Sequence, residues 1–190
     1  QSVYELDYPV GSVPSNGAFY ARYPGTLGNS LTVSVCSSAN SFVETGFTAN
    51  TVAGSSTIAL SSDISNSAYV GDQLTVAGTA YTISQFGSSN TIVVSSDTIP
   101  SSTANNQTAS ASWKYSYLFN GAPGTSINAS NSGSLNDELH IVVVDSNGKI
   151  SGSKGSVLEV FPNVSKAGDA RTDDGSTNYY DSRINLFSKY

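Results

Sequence analysis

Between residues 50 and 115 the sequence almost lacks charge, and this stretch constrains the fold more than any other. Only Asp63, Asp72, Asp97 and Lys114 are ionisable as acids or bases of ordinary strength there. The stretch also echoes itself. Gly54-Ser55-Ser56-Thr57-Ile58-Ala59-Leu60-Ser61-Ser62-Asp63 is repeated, with small changes, as Gly87-Ser88-Ser89-Asn90-Thr91-Ile92-Val93-Val94-Ser95-Ser96-Asp97. Between the copies, residues 70–83 read as a hairpin with Ala77-Gly78-Thr79 as the turn and Leu74, Val76, Tyr81 and Ile83 inward. Short strands separated by frequent turn signals predict a small antiparallel barrel or sandwich. Two copies are too few for a solenoid.

The flanking segments carry the remaining charge and read as a second β-rich body. Tyr4, Leu6 and Tyr8 alternate, which predicts a short edge strand and then a loop through Pro14 and Gly17. Phe19 to Tyr23 can form a strand end, Pro24-Gly25 suits a type II turn, and Gly28-Asn29 supplies a second bend. Leu31, Val33 and Val35 alternate with Thr32, Ser34 and Cys36, the pattern of a strand with one buried face. Glu138 to Asp145 becomes apolar on both faces, as a central strand does. Ser146-Asn147-Gly148 is a turn, Lys149-Ile150 starts the return, and Ser156 to Phe161 is a strand ended by Pro162. Asp169 to Ser176 is a polar loop; Ser176 then caps a helix over Tyr179–Lys189 with Tyr180, Ile184 and Phe187 on one face.

The expected fold class is therefore mainly β, α+β in its C-terminal part. It comprises an antiparallel sheet domain, a small β-barrel or sandwich insertion, and one short C-terminal helix. Residues 1–49 and 116–190 form the supporting domain, and residues 50–115 form the insertion, protruding outward.

Composition narrows the functions open to such a chain. Over 190 residues the charged fraction is 12%, about half that of an ordinary domain, and the net charge is -6. Eight basic residues scattered along the chain leave no patch for phosphates or an anionic membrane surface. No apolar run approaches a transmembrane length. Cys36 is the single cysteine, which excludes an intramolecular disulfide; it reads as an inert strand residue. The lack of methionine and the start at Gln1 give the expectation of an internal or processed piece.

Each candidate chemistry lacks a partner. His140 is the only histidine, it lies in a strand, and no Gly-x-Ser-x-Gly elbow exists, so no Ser-His-Asp set is indicated. One histidine and one cysteine cannot ligate zinc. Asp169, Asp173, Asp174 and Gly175 form the densest acidic loop, yet Arg171 occupies a ligand position of the calcium pattern. Gly148 to Lys154 has the wrong spacing for a phosphate loop. Asp137 and Glu138 are adjacent and point to opposite faces of a strand, unlike a glycosidase pair. The triplets at Asn106, Asn128 and Asn163 are expected by chance in so Asn- and Ser-rich a chain. Trp113, Tyr115 and Tyr117 alternate, and as a strand they would form either a stacking strip for sugars or an ordinary half-buried face. No catalytic, metal, cofactor or binding residue is assigned from these patterns.

What remains is a resemblance. Phe19-Tyr20-Ala21-Arg22-Tyr23-Pro24-Gly25-Thr26-Leu27-Gly28-Asn29-Ser30-Leu31, followed by Val33 and Val35, is similar to the Ala-Arg-Tyr-Pro-Gly-x-x-Gly-Asn-x-Leu segment of contractile-tail sheath proteins of T4-like bacteriophages. Downstream and in the same order, Leu139 to Asp145, Gly148, and Val157-Leu158-Glu159-Val160-Phe161-Pro162-Asn163-Val164-Ser165-Lys166-Ala167 resemble a second stretch of that family. Asp173-Asp174-Gly175-Ser176-Thr177-Asn178-Tyr179-Tyr180 and Ser188-Lys189-Tyr190 continue it. Residues 17–36 and 137–190 are covered, roughly two fifths of the chain. The resemblance implies a non-enzymatic structural protein without a cofactor, located in the virion tail and assembled in the host cytoplasm. Its partners would be neighbouring sheath subunits and, through parts outside this chain, the tail tube, with no nucleic acid and no membrane. In that family most of the inner array follows the Ser-Lys-Tyr stretch, so the chain would be an outer region with part of its support. Arg22 is then expected to pair with a carboxylate or carbonyl where the two ends meet. The alternative is a virion-surface carbohydrate- or receptor-binding β module using Trp113, Tyr115 and Tyr117.

Overall fold

The structure, a computed structural model, describes residues 19–88 and 90–190. The uncharged stretch and the strand before it form a closed barrel, which starts at Val43 rather than at residue 50: β2 (Val43–Thr51), β3 (Thr57–Leu60), β4 (Gln73–Val76), β5 (Thr79–Phe86), β6 (Thr91–Val94) and β7 (Ala104–Ser112), in the order β2-β3-β6-β5-β4-β7. Every pairing is antiparallel. β4, β5 and β6 follow one another, and β7 returns beside β4, which is a Greek key. Closure leaves the barrel no free edge to template further strands.

Alternation in sequence becomes inside and outside in the barrel. Ile58, Leu74, Ile83 and Ile92 are sealed from solvent, and burial of each contributes about 1.5–3 kcal/mol. Large and small inward residues face each other: Phe47 lies opposite Ala109, and Leu74 opposite Ala111. The two sequence copies become neighbours, with Ile58 of β3 opposite Ile92 of β6. The expected hairpin is present with its four inward residues buried. Its turn is Ala77-Gly78 alone, because Thr79 already pairs with Val76. Both turn residues have positive φ, 48° and 83°, the geometry of a two-residue type I′ turn.

The flanks build a three-strand antiparallel sheet in the order β1-β8-β9, from β1 (Leu31–Cys36), β8 (Glu138–Asp145) and β9 (Ser156–Ser165). β8 is central, and every residue after Glu138 in it is buried. Helices are short: α1 (Ala39–Phe42), α2 (Ile127–Asn131) and α3 (Tyr180–Phe187). The chain divides into two compact units. One comprises residues 19–34 with Val142–Glu159 and Phe187–Tyr190; the other comprises Val35–Ile141 and Val160–Leu186.

Several local expectations are corrected. Phe19 to Tyr23 is not a strand end; the ladder begins only at Leu31, after a 3-10 turn over Gly28–Ser30. Gly25 has the positive φ (75°) that a turn after Pro24 needs, but the hydrogen-bonded turn runs onward, Asn29 N–H donating to Gly25 C=O. β9 does not stop at Pro162 but continues to Ser165. An outer strand of a sheet tolerates proline because its missing N–H faces no partner. The return after Gly148 starts at Ser156 rather than at Lys149. α3 begins at Tyr180, and Ser176 does not cap it: its N–H donates to Asp174 Oδ1 inside the preceding loop. No residue of α3 is buried, so Tyr180, Ile184 and Phe187 do not form a core face. The strand expected at Tyr4 to Tyr8 and the loop through Pro14 and Gly17 lie outside the described residues.

Candidate functional site

The residues that look most like a site are two buried carboxylates at the ends of β8. Asp145, at the end of the strand, is fully buried. The Asn147-Gly148 turn folds the next residues back over it. Gly148 has φ of 72°, and a Cβ there would meet Lys154 N at 2.9 Å, so only glycine fits without a shift. The N–H groups of Lys149, Ile150 and Ser151 converge on the carboxylate at 3.0, 2.9 and 2.7 Å. Ser151 Oγ donates at 2.8 Å, and Ser30 Oγ also donates to Asp145. Five donors saturate the lone pairs of one carboxylate. Burial alone would raise the Asp145 pKa, but the donors of Ser151, Ser30 and Ile150 outweigh it and hold the group well below the usual carboxylate range.

This arrangement explains the glycine-rich stretch from Gly148 to Lys154. Its N–H groups do form an anion-binding concavity, and the anion inside is the protein's own Asp145. It also explains the opening motif. Ser30, fully buried at the end of the Gly28–Ser30 turn, donates to Asp145, accepts from Asn147 N–H, and receives Ser146 N–H on its carbonyl. Gly28 is required because a Cβ would overlap the carbonyl oxygen of Tyr23. The Arg22 backbone N–H donates to Tyr190 C=O at 3.2 Å. Tyr23, Leu27, Lys149, Ile150 and Tyr190 line a cleft of about 260 Å³ in the same unit.

The second carboxylate, Asp137, accepts from Ser126 N–H (2.8 Å), Ser126 Oγ (2.7 Å) and Ser165 Oγ. Burial pushes its pKa up, but the Ser165 hydroxyl and the two Ser126 donors pull harder, and the net shift is downward. Lys166 follows with its N–H on Asp137 C=O and its ammonium on the carbonyls of Ser37 and Asn136. Glu138, the first residue of β8, accepts from Gly124 N–H and Asn163 Nδ2, while Asp137 lies just before the strand.

His140 is buried and stacks on Phe119 with ring centroids 4.1 Å apart. Nδ1 accepts from Asn163 N–H at 3.0 Å, so the ring proton lies on Nε2, which donates to Gly121 C=O at 2.9 Å. Trp113 also stacks on Phe119, with ring centroids 5.3 Å apart. The proposed strip of Trp113, Tyr115 and Tyr117 is not formed. β7 ends at Ser112, and a turn follows; Trp113 and Tyr115 are buried edge to face, while Tyr117 is 74% exposed. The indole and phenol rings are consumed by core packing, which alternation in sequence cannot distinguish from an exposed face.

The acidic loop holds itself. Asp174 accepts from Thr172 Oγ1 and Ser176 N–H, which lowers its pKa. Among the described residues no group of three or more His, Cys, Asp or Glu side chains is arranged to hold a metal, and no helix is long and apolar enough to cross a membrane. Asp72 is a third buried carboxylate, held by Tyr69 N–H and Lys114 N–H; here burial outweighs the donors and raises the pKa. Cys36 is sealed, and burial pushes its thiol up to about 11. Ser30, Ser126, Ser165 and Asp145 were not singled out from the sequence. The available signal was an aspartate closing an apolar run immediately before Ser-Asn-Gly, a place where a carboxylate can be buried and then covered by the turn.

No protein-family model, curated protein or solved structure matches this chain.

Proposed function

We propose that the chain is a structural component of a contractile virion tail, part of the sheath that surrounds the tail tube and contracts to drive it through the host envelope. One observation carries this reading. The two segments that resemble sheath proteins are separated by about a hundred residues, and they share one sheet, β1 beside β8 and β8 beside β9. Ser30 of the first donates to Asp145 of the second across 115 positions. The chain between them leaves and returns as a closed barrel, which is how an insertion behaves when it decorates a supporting sheet.

The reading contains no catalytic step, cofactor, nucleic acid or membrane. Its partners are neighbouring sheath subunits and the tail tube, and its place is the virion tail after assembly in the host cytoplasm. Saturated buried charges suit this role, because subunits that rearrange between two helical arrays must move as near-rigid bodies. Electron cryomicroscopy of the particle carrying the chain tests the proposal. Density for the chain at the outer radius of a six-fold helical tube, with the barrel facing outward, is the expected result. A free-standing trimer or monomer at a fibre tip would overturn it.

A further inference from the structure

One end of the barrel, where β3 and β5 finish and β6 begins, holds an open pocket of about 120 Å³. Its lining combines Leu60, Ile64, Phe86 and Ile92 with the polar residues Ser62, Asp63, Ser65 and Asn90. We propose that this pocket binds one edge of a neutral sugar residue of a glycan. The inference does not rest on the sheath reading.

The polar set fits vicinal hydroxyls. A carboxylate accepts, an amide both donates and accepts, and two serine hydroxyls do either. A sugar edge presents the same mixture. Phe86 is partly buried and packed against the barrel core, so its ring is held in place beside the polar groups. An aromatic side chain and a few polar groups lining one concavity are the usual build of a small-ligand site, and barrel mouths commonly carry one. Charge selects within this class. Asp63 is the one charged residue of the lining and no cation stands there, which disfavours phosphates, sulfates and acidic sugars.

Size and preorganisation agree. At about 30 Å³ per water the pocket holds roughly four waters, the volume of one pyranose edge with its hydroxyls, the remainder of the ring lying at the mouth. The carboxylate and the backbone around it are held before a ligand arrives. Asp63 Oδ1 accepts from Ser65 N–H at 2.8 Å. Asn90, at φ of 57°, is fixed through its carbonyl, which accepts from Leu60 N–H at 2.8 Å. Gly87 N–H donates to Thr91 C=O at 2.8 Å and closes the β5–β6 connection.

The test is a ¹H–¹⁵N correlation titration of the full chain with the methyl glycosides of glucose, galactose, mannose and N-acetylglucosamine, with N-acetylneuraminic acid as the anionic control. At least one neutral glycoside is expected to shift the amides of Asp63, Ser65, Gly87 and Thr91 saturably, with Kd on the order of millimolar. Asn90→Ala and Asp63→Asn should each weaken that binding by about tenfold, and Phe86→Leu, which keeps the packing and removes the ring, should weaken it as well. If those variants disturb the barrel spectrum, Ser62→Ala at an exposed position decides, with a loss of about threefold expected. No saturable shift from any of the four, saturable shifts elsewhere only, tighter binding of the acidic sugar, or full affinity in Ser62→Ala would each overturn the proposal.

Discussion

At the scale of single residues the molecule is organised by hydroxyls that serve carboxylates. Ser165 is the clearest case, since it is fully buried and donates to Asp137. Removing the hydroxyl leaves a buried acceptor short of a donor, at about 1–3 kcal/mol. Ser165→Ala should therefore lower the unfolding free energy by that amount, read as a lower urea midpoint at unchanged slope, and raise the Asp137 pKa in an NMR titration; an unchanged midpoint would refute the clamp. The acid limb of stability has a defined sign. Asp145 and Asp137 titrate below their unfolded values, so their contribution is complete above an unfolded pKa of about 4 and is lost as pH falls through the folded values. Asp72 has the opposite sign: its raised pKa favours the folded state below about pH 4 and weighs against it as pH rises through the folded value. Denaturation midpoints between pH 7 and 2 should fall in acid, and Asp145→Asn should flatten that fall while lowering the midpoint at neutral pH.

At the scale of elements, turns decide more than strands. Ala77 occupies a left-handed position that a Cβ disfavours, while Asn-Gly is the preferred pair for a type I′ turn. Ala77→Asn should stabilise the barrel by about 0.5–1 kcal/mol, read as a higher melting temperature. Gly28 makes the reverse point. Its replacement by alanine drives a Cβ into the Tyr23 carbonyl and should cost about 1–3 kcal/mol, again by denaturation midpoint. A midpoint unchanged by Gly28→Ala would mean that the opening turn does not constrain β1.

At the scale of the whole molecule the sealed thiol reports on the fold. Cys36 is buried, with its pKa pushed up to about 11, so almost no thiolate exists at pH 8. A disulfide reagent should label the native chain only at the rate of opening, and fully and quickly in denaturant. Fast labelling of the native chain would show that β1 separates from β8 far more readily than this packing allows.

How much of this was legible beforehand follows from which interactions are local. Alternation in residues 70–83 determined the hairpin, because period two fixes which side chains share a face. The apolar run from Leu139 to Val144 determined a central strand, because only a strand covered on both sides can bury every residue. The turn at Ser146-Asn147-Gly148 needed nothing beyond glycine chemistry. The tertiary structure alone decided that the two copies at 54–63 and 87–97 pair with each other and that six strands close. It also decided that Trp113 and Tyr115 turn inward and that Ser30 finds Asp145. Those contacts join residues far apart in sequence, and neither partner carries a local mark of the other. Periodicity records the burial of a face; it does not record which distant group will cover it.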